Sequence, residues 1–534
     1  MPVKYLIAIS GPVASGKSAL ANEMLKRFKT YRISTRQLIA DTGAVNERNA
    51  LIEAGKQLDI DTDGTWIREG IRPYVQQNEK SSDIILVDAV RTERQIHHLR
   101  EEFGEKLVHI HISVPYKVAK ERYEARGAEW DQGVPYEDVR ADPTENGVWT
   151  LDRIANRVVQ NHQCDPASIL ARAVAGLALF PLQAEKLVDV LVGGQYGSEG
   201  KGNVCAHLAH DYDVLMRVGG PNAGHMVAYP KQKYVQLPSG TRSNPAAKIL
   251  IGAGATIWPE QMVKEIAECG LTKDRLVIDE QAMIIEQSDR DIEAELLGGI
   301  ASTKQGVGAA TARKIIGRGC KPPFGDVVRL AHEHPDLKEF VKPVARELEN
   351  AYAAGQRIML EGTQGTSLSL HHGVYPYVTS RETTASGCLA DAGIAPNRVR
   401  RIVMVTRTYP IRVGGTSGPM EMPLETKVVA ERSGLPLDQI DRTEVGTISG
   451  TKRRMAEFDW EQLRRSAVLN GTTDIALTFA DYITAENQNA RRFDQLSNET
   501  KEFITEVERV ANAPVSLIAT RFHRFSVIDR RTWR

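Results

Sequence analysis

Two glycine-rich segments of the chain carry the residue types that bind nucleotide phosphates. The first, GPVASGKS, places Gly11, Gly16, Lys17 and Ser18 at the spacing GxxxxGK[ST], directly after the apolar run YLIAIS. In such a loop the main-chain N–H groups face the phosphates, the lysine contacts the β- and γ-phosphates, and the hydroxyl binds Mg²⁺. The segment therefore predicts an ATP-binding, phosphoryl-transfer site with Ser18 as a metal ligand.

The second segment, GGQYGSEGKG, is a variant phosphate loop with one more residue before its lysine. Gly200, Lys201 and Gly202 stand where a helix would begin, so we expect them to bind a donor nucleotide, with Lys201 at its phosphates. Ser198 occupies a position where a carboxylate could act as a general base. The segment is either a catalytic loop with altered chemistry or an inactive one.

Three further segments combine amide, hydroxyl and charged residues at a density that a buried element does not need. RVGGPNAGHMV places Asn222 and His225 beside glycines that would let a nucleotide approach the backbone. The segment 361–387 is a long polar loop, and loops of this length are usually functional. EVGTISGTKRR is rich in hydroxyls and arginines and suits a ligand that carries a carboxylate.

Other candidates for phosphate or metal chemistry lie near the first loop. Asp88 ends the apolar run IILVD and is a candidate carboxylate near the metal. Arg122 and Arg126 are four residues apart in ERYEARG, so one helix face could direct both at phosphoryl oxygens. A plain strand end and a solvated basic face are the alternatives.

The elements that position these residues form a doubled pattern. At 534 residues the chain exceeds one ordinary core. Each half opens with an apolar run, a glycine-rich turn and a helix, which predicts two domains, residues 1–182 and 187–534. Strand-like runs alternate with amphipathic segments in both halves. This alternation predicts α/β domains of the P-loop type, with mainly parallel sheets flanked by helices.

The composition narrows the classes of partner. Lys+Arg and Asp+Glu both number 68, so net charge favours neither a nucleic-acid nor a membrane partner. The five cysteines are scattered without a CxxC pair, which favours reduced thiols over disulfides or a zinc site. The apolar start is too short for a signal peptide, and no run is long enough to span a membrane. We therefore expect a cytoplasmic protein that acts on small molecules.

Five motifs make residues from about 187 to 534 resemble the adenylosuccinate synthetase family: GGQYGSEGKG, GGPNAGH, STKQGVGAA, EGTQGT with HHGVYPYVTS, and GTISGTKRR. The resemblance implies a P-loop-related α/β fold, a homodimer, and a nucleoside triphosphate with Mg²⁺. It implies that the 6-oxygen of a purine nucleotide is phosphorylated and that L-aspartate then displaces the phosphate.

The same resemblance implies roles for single residues. Ser198 takes the place of the family's aspartate base, His225 supports phosphoryl transfer as an acid or hydrogen-bond donor, and Gln364 contacts the purine 6-position. The remaining roles are as follows: the nucleotide 5′-phosphate at Asn222, Thr303 and Thr379; Mg²⁺ at the main chain of Gly224; donor phosphates at Lys201; aspartate at Thr447, Ser449 and Arg453; and a phosphate-binding arginine, usually given across the dimer, at Arg313 or Arg318.

Four departures from the family pattern bear on the substrates. Ser198 leaves room for a guanine 2-amino group and can hydrogen-bond it, and Thr451 replaces an arginine near the ribose 2′-hydroxyl. In LTFADY, Asp481 is kept but Phe479 replaces the lysine of a guanine-reading KxD element, and ATRFHR replaces a Ser-Thr-Gly-Pro stretch. The first change resembles the phage branch of the family, which makes N6-succino-2-amino-2′-deoxyadenylate from dGMP, and the second fits a deoxynucleotide substrate. The last two favour ATP or dATP over GTP as the donor.

The N-terminal half resembles the P-loop nucleoside and nucleotide kinases, including deoxynucleoside monophosphate kinases. The resemblance is loose over residues 1–130, where only the phosphate loop is specific, and it does not identify the acceptor. The hypothesis is thus a bifunctional nucleotide enzyme. Its alternatives are a conventional adenylosuccinate synthetase acting on IMP and a non-catalytic nucleotide sensor.

Overall fold

A computed structural model provides the structure of the chain. The residues that it describes are 3–43, 48–126, 134–180, 185–319, 324–446, 450, 452–523 and 525–533. The chain divides into two compact units, Met1–Leu182 and Gln183–Arg534.

The first unit is built on a parallel sheet. Its strands are β1 (Tyr5–Ser10), β2 (Thr30–Ser34), β3 (Ile84–Asp88), β4 (Leu107–Ser113) and β5 (Arg157–Gln160). Its helices are α1 (Lys17–Arg27), α2 (Thr35–Ala40), α3 (Arg48–Thr62), α4 (Trp66–Asn78), α5 (Glu93–Phe103), α6 (Tyr116–Glu124), α7 (Tyr136–Ala141), α8 (Pro143–Val148) and α9 (Pro166–Val174). Among the described residues the strand order is β2-β3-β1-β4-β5.

Strand β1 is buried on both faces because both of its alternating side-chain sets are apolar. Ile7 and Ile9 pack with residues of α1 and α9 in one core. Leu6 and Ala8 pack with residues of α4 and α5 in the other. Helices therefore cover the sheet on two sides, and the first phosphate loop joins the central strand β1 to α1.

The second unit repeats this design on a larger sheet. Its strands are β6 (Val188–Gly193), β7 (Val214–Arg217), β8 (His225–Ala228), β9 (Lys231–Tyr234), β10 (Lys248–Ile251), β11 (Thr256–Ile257), β12 (Leu276–Ile278), β13 (Met283–Ile284), β14 (Ile358–Glu361), β15 (Val399–Arg407), β16 (Ile411–Val413), β17 (Pro423–Leu424), β18 (Arg453–Ala456), β19 (Asp474–Thr478), β20 (Val515–Ala519) and β21 (Val527–Asp529). Its helices are α10 (Lys201–Leu208), α11 (Pro259–Cys269), α12 (Gln287–Leu296), α13 (Val307–Ile316), α14 (Val344–Ala353), α15 (Ala385–Ala392), α16 (Thr426–Ser433), α17 (Leu437–Thr443), α18 (Trp460–Asn470) and α19 (Asn498–Ala511).

The main sheet of this unit runs β12-β10-β7-β14-β6-β15-β19-β20-β21 over the described residues. Its pairs are parallel except for β20 with β21. Val190 and Val192 of β6 face one core and Leu191 faces the other. The second phosphate loop joins β6 to α10. The predicted fold class, α/β with mainly parallel sheets between helices, is confirmed.

Two features of the composition can be placed in this fold. No helix in the described part of the chain combines the length and the apolar character needed to cross a bilayer. Four cysteines are free thiols, Cys164, Cys205, Cys269 and Cys388. Cys320 lies outside the described residues.

Candidate active sites

The loop between β6 and α10 is held together by one carboxylate. Glu199, 1% exposed, accepts hydrogen bonds from the main-chain N–H groups of Gln195 at 3.0 Å and Gly197 at 2.8 Å. Its other oxygen forms a 2.7 Å salt bridge with Lys201, whose ammonium also donates to the Gly197 carbonyl at 3.2 Å. Gly200 has φ +88° and directly precedes α10, which Lys201 and Gly202 begin. The lysine is thus held at the helix start by loop groups that phosphate oxygens could replace.

A cavity of about 850 Å³ lies beside this loop and gathers residues that are far apart in the sequence. The predicted site residues that line it are Ser198, Asn222, Gly224, His225, Thr303, Gln364, Thr379 and Arg453. A cavity of this size is large enough for a nucleotide. The wall of this one cavity therefore brings together residues predicted to bind the substrate, the metal and aspartate.

His225 and Glu361 form a buried pair at this cavity. Nδ1 of His225 is hydrogen-bonded to Glu361 Oε1, and Glu361 also accepts from Ser239 N at 2.7 Å and Ser239 Oγ at 2.5 Å. Burial, together with the charge of Arg217, lowers the pKa of His225 to about 4. Burial alone would raise the pKa of Glu361, but Arg217 and the hydrogen bonds from His225 and Ser239 hold it below its ordinary value.

The protonation of the pair follows from these contacts. An ionised carboxylate only accepts hydrogen bonds, so Nδ1 of the neutral imidazole carries the proton. Nε2 of His225 is then an acceptor, and it is buried without a hydrogen-bond partner among the described residues. His225 is one of the residues that line the cavity.

A chain of side-chain hydrogen bonds orients the predicted purine and phosphate ligands. Gln364, in the left-handed conformation at φ 56°, donates to Asn222 Oδ1 at 2.7 Å and accepts from Thr363 Oγ1 at 2.7 Å. Asn222 donates in turn to Thr379 Oγ1 at 3.2 Å. A non-glycine residue held in this conformation is typical of a functional site. Thr303 reaches the same cavity, and its carbonyl accepts from Gln305 at 2.9 Å.

Arg313 is a correction to the predicted site. Its side chain is fully buried, forms a 2.6 Å salt bridge with Asp289, and donates to the carbonyls of Ile284 and Val327. A guanidinium so enclosed cannot turn to a substrate phosphate without leaving Asp289 uncompensated. Arg318 is exposed, with Nε donating to the Ile315 carbonyl at 2.8 Å.

One donor prediction falls outside the cavity wall, and two aspartate predictions fall on residues that the structure does not describe. Asp481 lies outside the cavity wall and is 2% exposed, and burial raises its pKa to about 6. Its Oδ2 accepts from Gln488 at 3.2 Å, and Oδ1 is buried without a partner among the described residues. Thr447 and Ser449 lie outside the described residues, as does Thr451.

The sequence reasoning missed Glu361, Glu444 and Arg407, each 1% exposed or less. A signal existed for two of them. Glu361 ends the run IMLE and Arg407 ends the run IVMVTR, and a charge at the end of a buried strand lies at the sheet edge where sites form. Glu444 carries no such signal.

The first unit has its own cavity, of about 780 Å³, beside the loop between β1 and α1. Gly16, Lys17 and Ser18 line it together with Arg91 and Arg126. Lys17 donates to the carbonyls of Gly11 at 2.6 Å and Pro12 at 2.8 Å. Burial and the nearby charges of Arg91 and Arg126 lower its pKa to about 7, against the opposing effect of Asp88. The wall carries both signs of charge: Arg91 forms an ion pair with Glu145, and Arg126 adds a cation near Lys17.

Two predictions for this unit are modified. Arg122 and Arg126 do not share a helix face, because α6 ends at Glu124 and a tight turn carries Arg126 N to the Tyr123 carbonyl at 3.2 Å. Arg126 reaches the cavity, whereas Arg122 is half-buried and outside its wall. Asp88 is ion-paired with Arg32 and is not part of the wall, although its charge acts on Lys17.

The metal prediction can be tested against the donors present. Among the described residues no group of three His, Cys, Asp or Glu side chains could hold an ion. Mg²⁺ commonly uses few protein ligands, keeps waters and is shared with substrate phosphates. The Gly224 carbonyl and the Ser18 hydroxyl are hard oxygen donors at the two cavities, so they fit an ion that arrives with a nucleotide.

The loop, the cavity and the histidine–glutamate pair define a nucleotide-dependent enzyme of the P-loop-related α/β class. The family model for adenylosuccinate synthetase matches residues 190–332 and 324–488. The chain belongs to this family. The match lies within the second unit.

Individual relatives support the assignment. The adenylosuccinate synthetase of Pyrococcus horikoshii is 39% identical over 355 residues, which cover 64% of this chain and 98% of the relative. The solved succinoaminodeoxyadenylate synthetase (PurZ) of cyanophage S-2L, bound to dGMP and to dATP as an energy donor, is 28% identical with a TM-score of 0.53 and covers 65% of this chain and 96% of its own. A Plasmodium falciparum adenylosuccinate synthetase shares the fold, with a TM-score of 0.56 at 22% identity, covering 65% of this chain and 100% of its own.

Proposed function

We propose that the second unit joins L-aspartate to the 6-position of dGMP, with ATP or dATP as the phosphate donor, giving N6-succino-2-amino-2′-deoxyadenylate, ADP or dADP, and phosphate. The observation that carries the proposal is Ser198. It lines the cavity with Asn222, Gln364 and His225, so a hydroxyl stands where the resemblance implies a carboxylate. The cyanophage S-2L relative, whose structure holds dGMP and dATP, supports the same substrates.

Ser198 favours a guanine nucleotide for steric and electrostatic reasons. A carboxylate at this position would crowd the 2-amino group of guanine, whereas the shorter hydroxyl leaves room and accepts a hydrogen bond from it. A site that hydrogen-bonds a substrate group discriminates against the analogue that lacks it. IMP has no 2-amino group, so it would bind with this interaction missing.

The missing carboxylate requires another proton acceptor. A serine hydroxyl is not a base at neutral pH, but Nε2 of His225 is an acceptor held in the cavity wall. We assign the N1 proton to this nitrogen. As the N1–H bond breaks, the 6-oxygen becomes the nucleophile that bonds to the γ-phosphorus, and the nucleoside diphosphate leaves. Buried Glu361 stabilises the imidazolium that forms, as a carboxylate does in a Ser-His-Asp triad.

The remaining groups bind and orient the purine nucleotide and aspartate. Gln364 and Asn222 hold the purine 6-position and the 5′-phosphate, and the amine of aspartate displaces phosphate from C6 next to Arg453. Mg²⁺, when bound, supplies positive charge at the phosphates. The resemblance also implies a homodimer, and exposed Arg318 is the cation we propose for a phosphate across that interface.

For the first unit we propose nucleotide kinase activity. Lys17, Ser18, Arg91 and Arg126 line one cavity, so the phosphate-binding loop shares its wall with two arginines, of which Arg91 is paired with Glu145. Phosphoryl transfer needs positioning and charge stabilisation of this kind.

A second candidate function is favoured by the archaeal relatives. The enzyme of Pyrococcus horikoshii, 39% identical, is named a conventional adenylosuccinate synthetase, which would convert IMP here. The test is a competition assay of the full chain with equal dGMP and IMP, aspartate, Mg²⁺ and ATP, followed by mass spectrometry. N6-succino-2-amino-2′-deoxyadenylate is the expected product. Consumption of IMP with dGMP unchanged would select the conventional reaction, and nucleotide binding without turnover would select a sensor.

A further inference from the structure

Arg407 is a fully buried cation for which the reaction above has no use. It is the last residue of β15, the strand that pairs with β6, and it is 1% exposed. A buried guanidinium is costly unless its neighbours compensate it. Its neighbours come from three separate segments, each of which belongs to a different part of the proposed site.

The first segment is the phosphate loop. The main chain of Arg407 and the Gln195 side chain exchange two hydrogen bonds, each of 3.1 Å. Nη1 of Arg407 also points at the Ser198 carbonyl at 3.5 Å. The arginine is thus attached to the loop at Gln195, through its backbone, and at Ser198 itself, through its guanidinium.

The second segment carries the residues proposed to bind aspartate. Arg407 Nη2 contacts Glu444 Oε1 at 2.6 Å and Nη1 contacts Oε2 at 3.4 Å. Glu444 also binds Arg453 twice, through its carbonyl to Arg453 N at 3.0 Å and through Oε2 to Nη1 at 3.6 Å. Arg407 therefore holds Glu444, and Glu444 holds Arg453, which lines the cavity.

The third segment follows β19 at the proposed donor side. The guanidinium of Arg407 stacks 4.0 Å from the centre of the Phe479 ring. Phe479 adopts the left-handed conformation at φ 58°, and Thr408 fixes its carbonyl with a 2.7 Å hydrogen bond. Tyr482 closes the group by donating to Glu444 at 2.8 Å. The uncharged ring of Phe479 attracts the Arg407 guanidinium, whereas a lysine at position 479 would repel it.

We propose that Arg407 is a positioning residue for the ligase reaction: through Glu444 it holds Arg453 in a fixed position relative to the Ser198 loop, and its guanidinium packs on the ring of Phe479. The inference rests on the proposed function in that Arg453 binds aspartate. It does not depend on which purine nucleotide reacts. Misplacing reacting groups by about 1 Å can cost about 100-fold in rate.

The test compares Arg407→Gln and Arg407→Lys in the full chain, with whichever of dGMP or IMP the parent consumes. We expect Arg407→Gln to lower kcat about 100-fold and to raise the KM for aspartate, while the dissociation constant of the purine nucleotide stays within about twofold. A lysine ammonium keeps a positive charge beside Glu444. Unlike the planar guanidinium, it cannot contact Glu444 and the Ser198 carbonyl at the same time. Arg407→Lys should therefore recover the KM for aspartate and leave kcat low.

Arg401→Lys is the matched control. Arg401 is on the same strand, pairs with Asp474 at 3.1 Å and stacks 4.5 Å from the Trp533 ring, but it does not line the cavity. Its replacement should leave kcat and KM unchanged. Parent-like kinetics in both Arg407 variants would overturn the proposal. So would losses in nucleotide affinity and thermal midpoint that parallel the loss of kcat, because these show a purely structural role. A parent that consumes neither nucleotide would instead reject the proposed function.

Discussion

At the scale of single residues, the proton chemistry depends on the contact between His225 and Glu361. We expect Glu361→Gln to lower kcat by about 100-fold, because an amide neither fixes the Nδ1–H tautomer nor stabilises an imidazolium. Steady-state kinetics against a thermal-midpoint control measure the effect. Ser239→Ala removes one hydrogen bond to the same carboxylate and should cost much less. A Glu361→Gln variant with normal kcat and a folded midpoint would contradict the role given to His225.

Site residues could be predicted from the sequence only where a local sequence pattern indicated them. Asn222, His225 and Gln364 stand in polar, glycine-rich segments, and the cavity contains all three. Arg313 was misplaced because a single sequence does not show that Asp289 binds it. Glu361 and Glu444 act through partners 136 and 37 positions away, at His225 and Arg407. Such pairings exist only once the sheet is formed.

At the scale of elements, the two helix starts proposed to bind phosphates differ in how much space surrounds the glycine before them. A Cβ at Gly16, φ +100°, would lie 2.0 Å from Asn161 Nδ2, which holds the Ser15 carbonyl at 2.6 Å. A Cβ at Gly200, φ +88°, would find its nearest neighbour at 3.6 Å. We expect Gly16→Ala to cost about 2–4 kcal/mol of unfolding free energy and Gly200→Ala about 1–2 kcal/mol, the backbone strain alone. Chemical denaturation measures the loss of unfolding free energy in each variant. Equal losses in the two variants would contradict the expected difference.

Strand β4 predicts an acid sensitivity of the first unit. His109 and His111 are buried on it, and both hydrogen-bond Ser10 Oγ, at 2.7 and 2.9 Å. Burial lowers the pKa of each to about 4, below an unfolded value near 6.5. The unfolded chain therefore binds more protons between these values, and stability present above pH 6.5 is lost as the pH falls toward 4.

The free energy of unfolding should change by at most about 1.4 kcal/mol per pH unit for each histidine. Hydrogen exchange of the β1 and β4 amides, recorded between pH 7 and 4, measures this change. His111→Gln should flatten the dependence, while His97→Gln, at an exposed position, should leave it as in the parent. A dependence unchanged by His111→Gln would show that other groups carry the acid sensitivity.

Element types were more predictable than element ends. The apolar runs IILVD, KLVHIHIS and IMLE became strands because both of their faces are buried in parallel sheets. The amphipathic stretch from Leu337 became a helix only from Val344, after Pro343 at its N-cap. Likewise α6 ended before Arg126, which moved that arginine off the helix face. Local geometry at a cap depends on hydrogen bonds that periodicity does not encode.

At the scale of the whole molecule, each unit has its own phosphate loop, its own cavity and its own lysine. Lys17→Ala in the full chain should abolish nucleotide phosphorylation by the first unit and leave aspartate ligation intact. Lys201→Ala should do the reverse, since it removes the cation from the second loop only. Parallel assays of both activities measure this. If either substitution abolished both reactions, the two sites would not be the separate centres proposed here.

The central claim is that Ser198 selects a guanine nucleotide, and the ratio of kcat/KM for dGMP to that for IMP tests it most directly. The parent should favour dGMP. Ser198→Asp should reverse the preference, with a fall of about 100-fold or more for dGMP through the clash with its 2-amino group and a gain for IMP. Ser198→Ala, which keeps the room but loses the hydroxyl, should stay on the dGMP side. A parent that prefers IMP, or a ratio that Ser198→Asp leaves unchanged, would contradict the account.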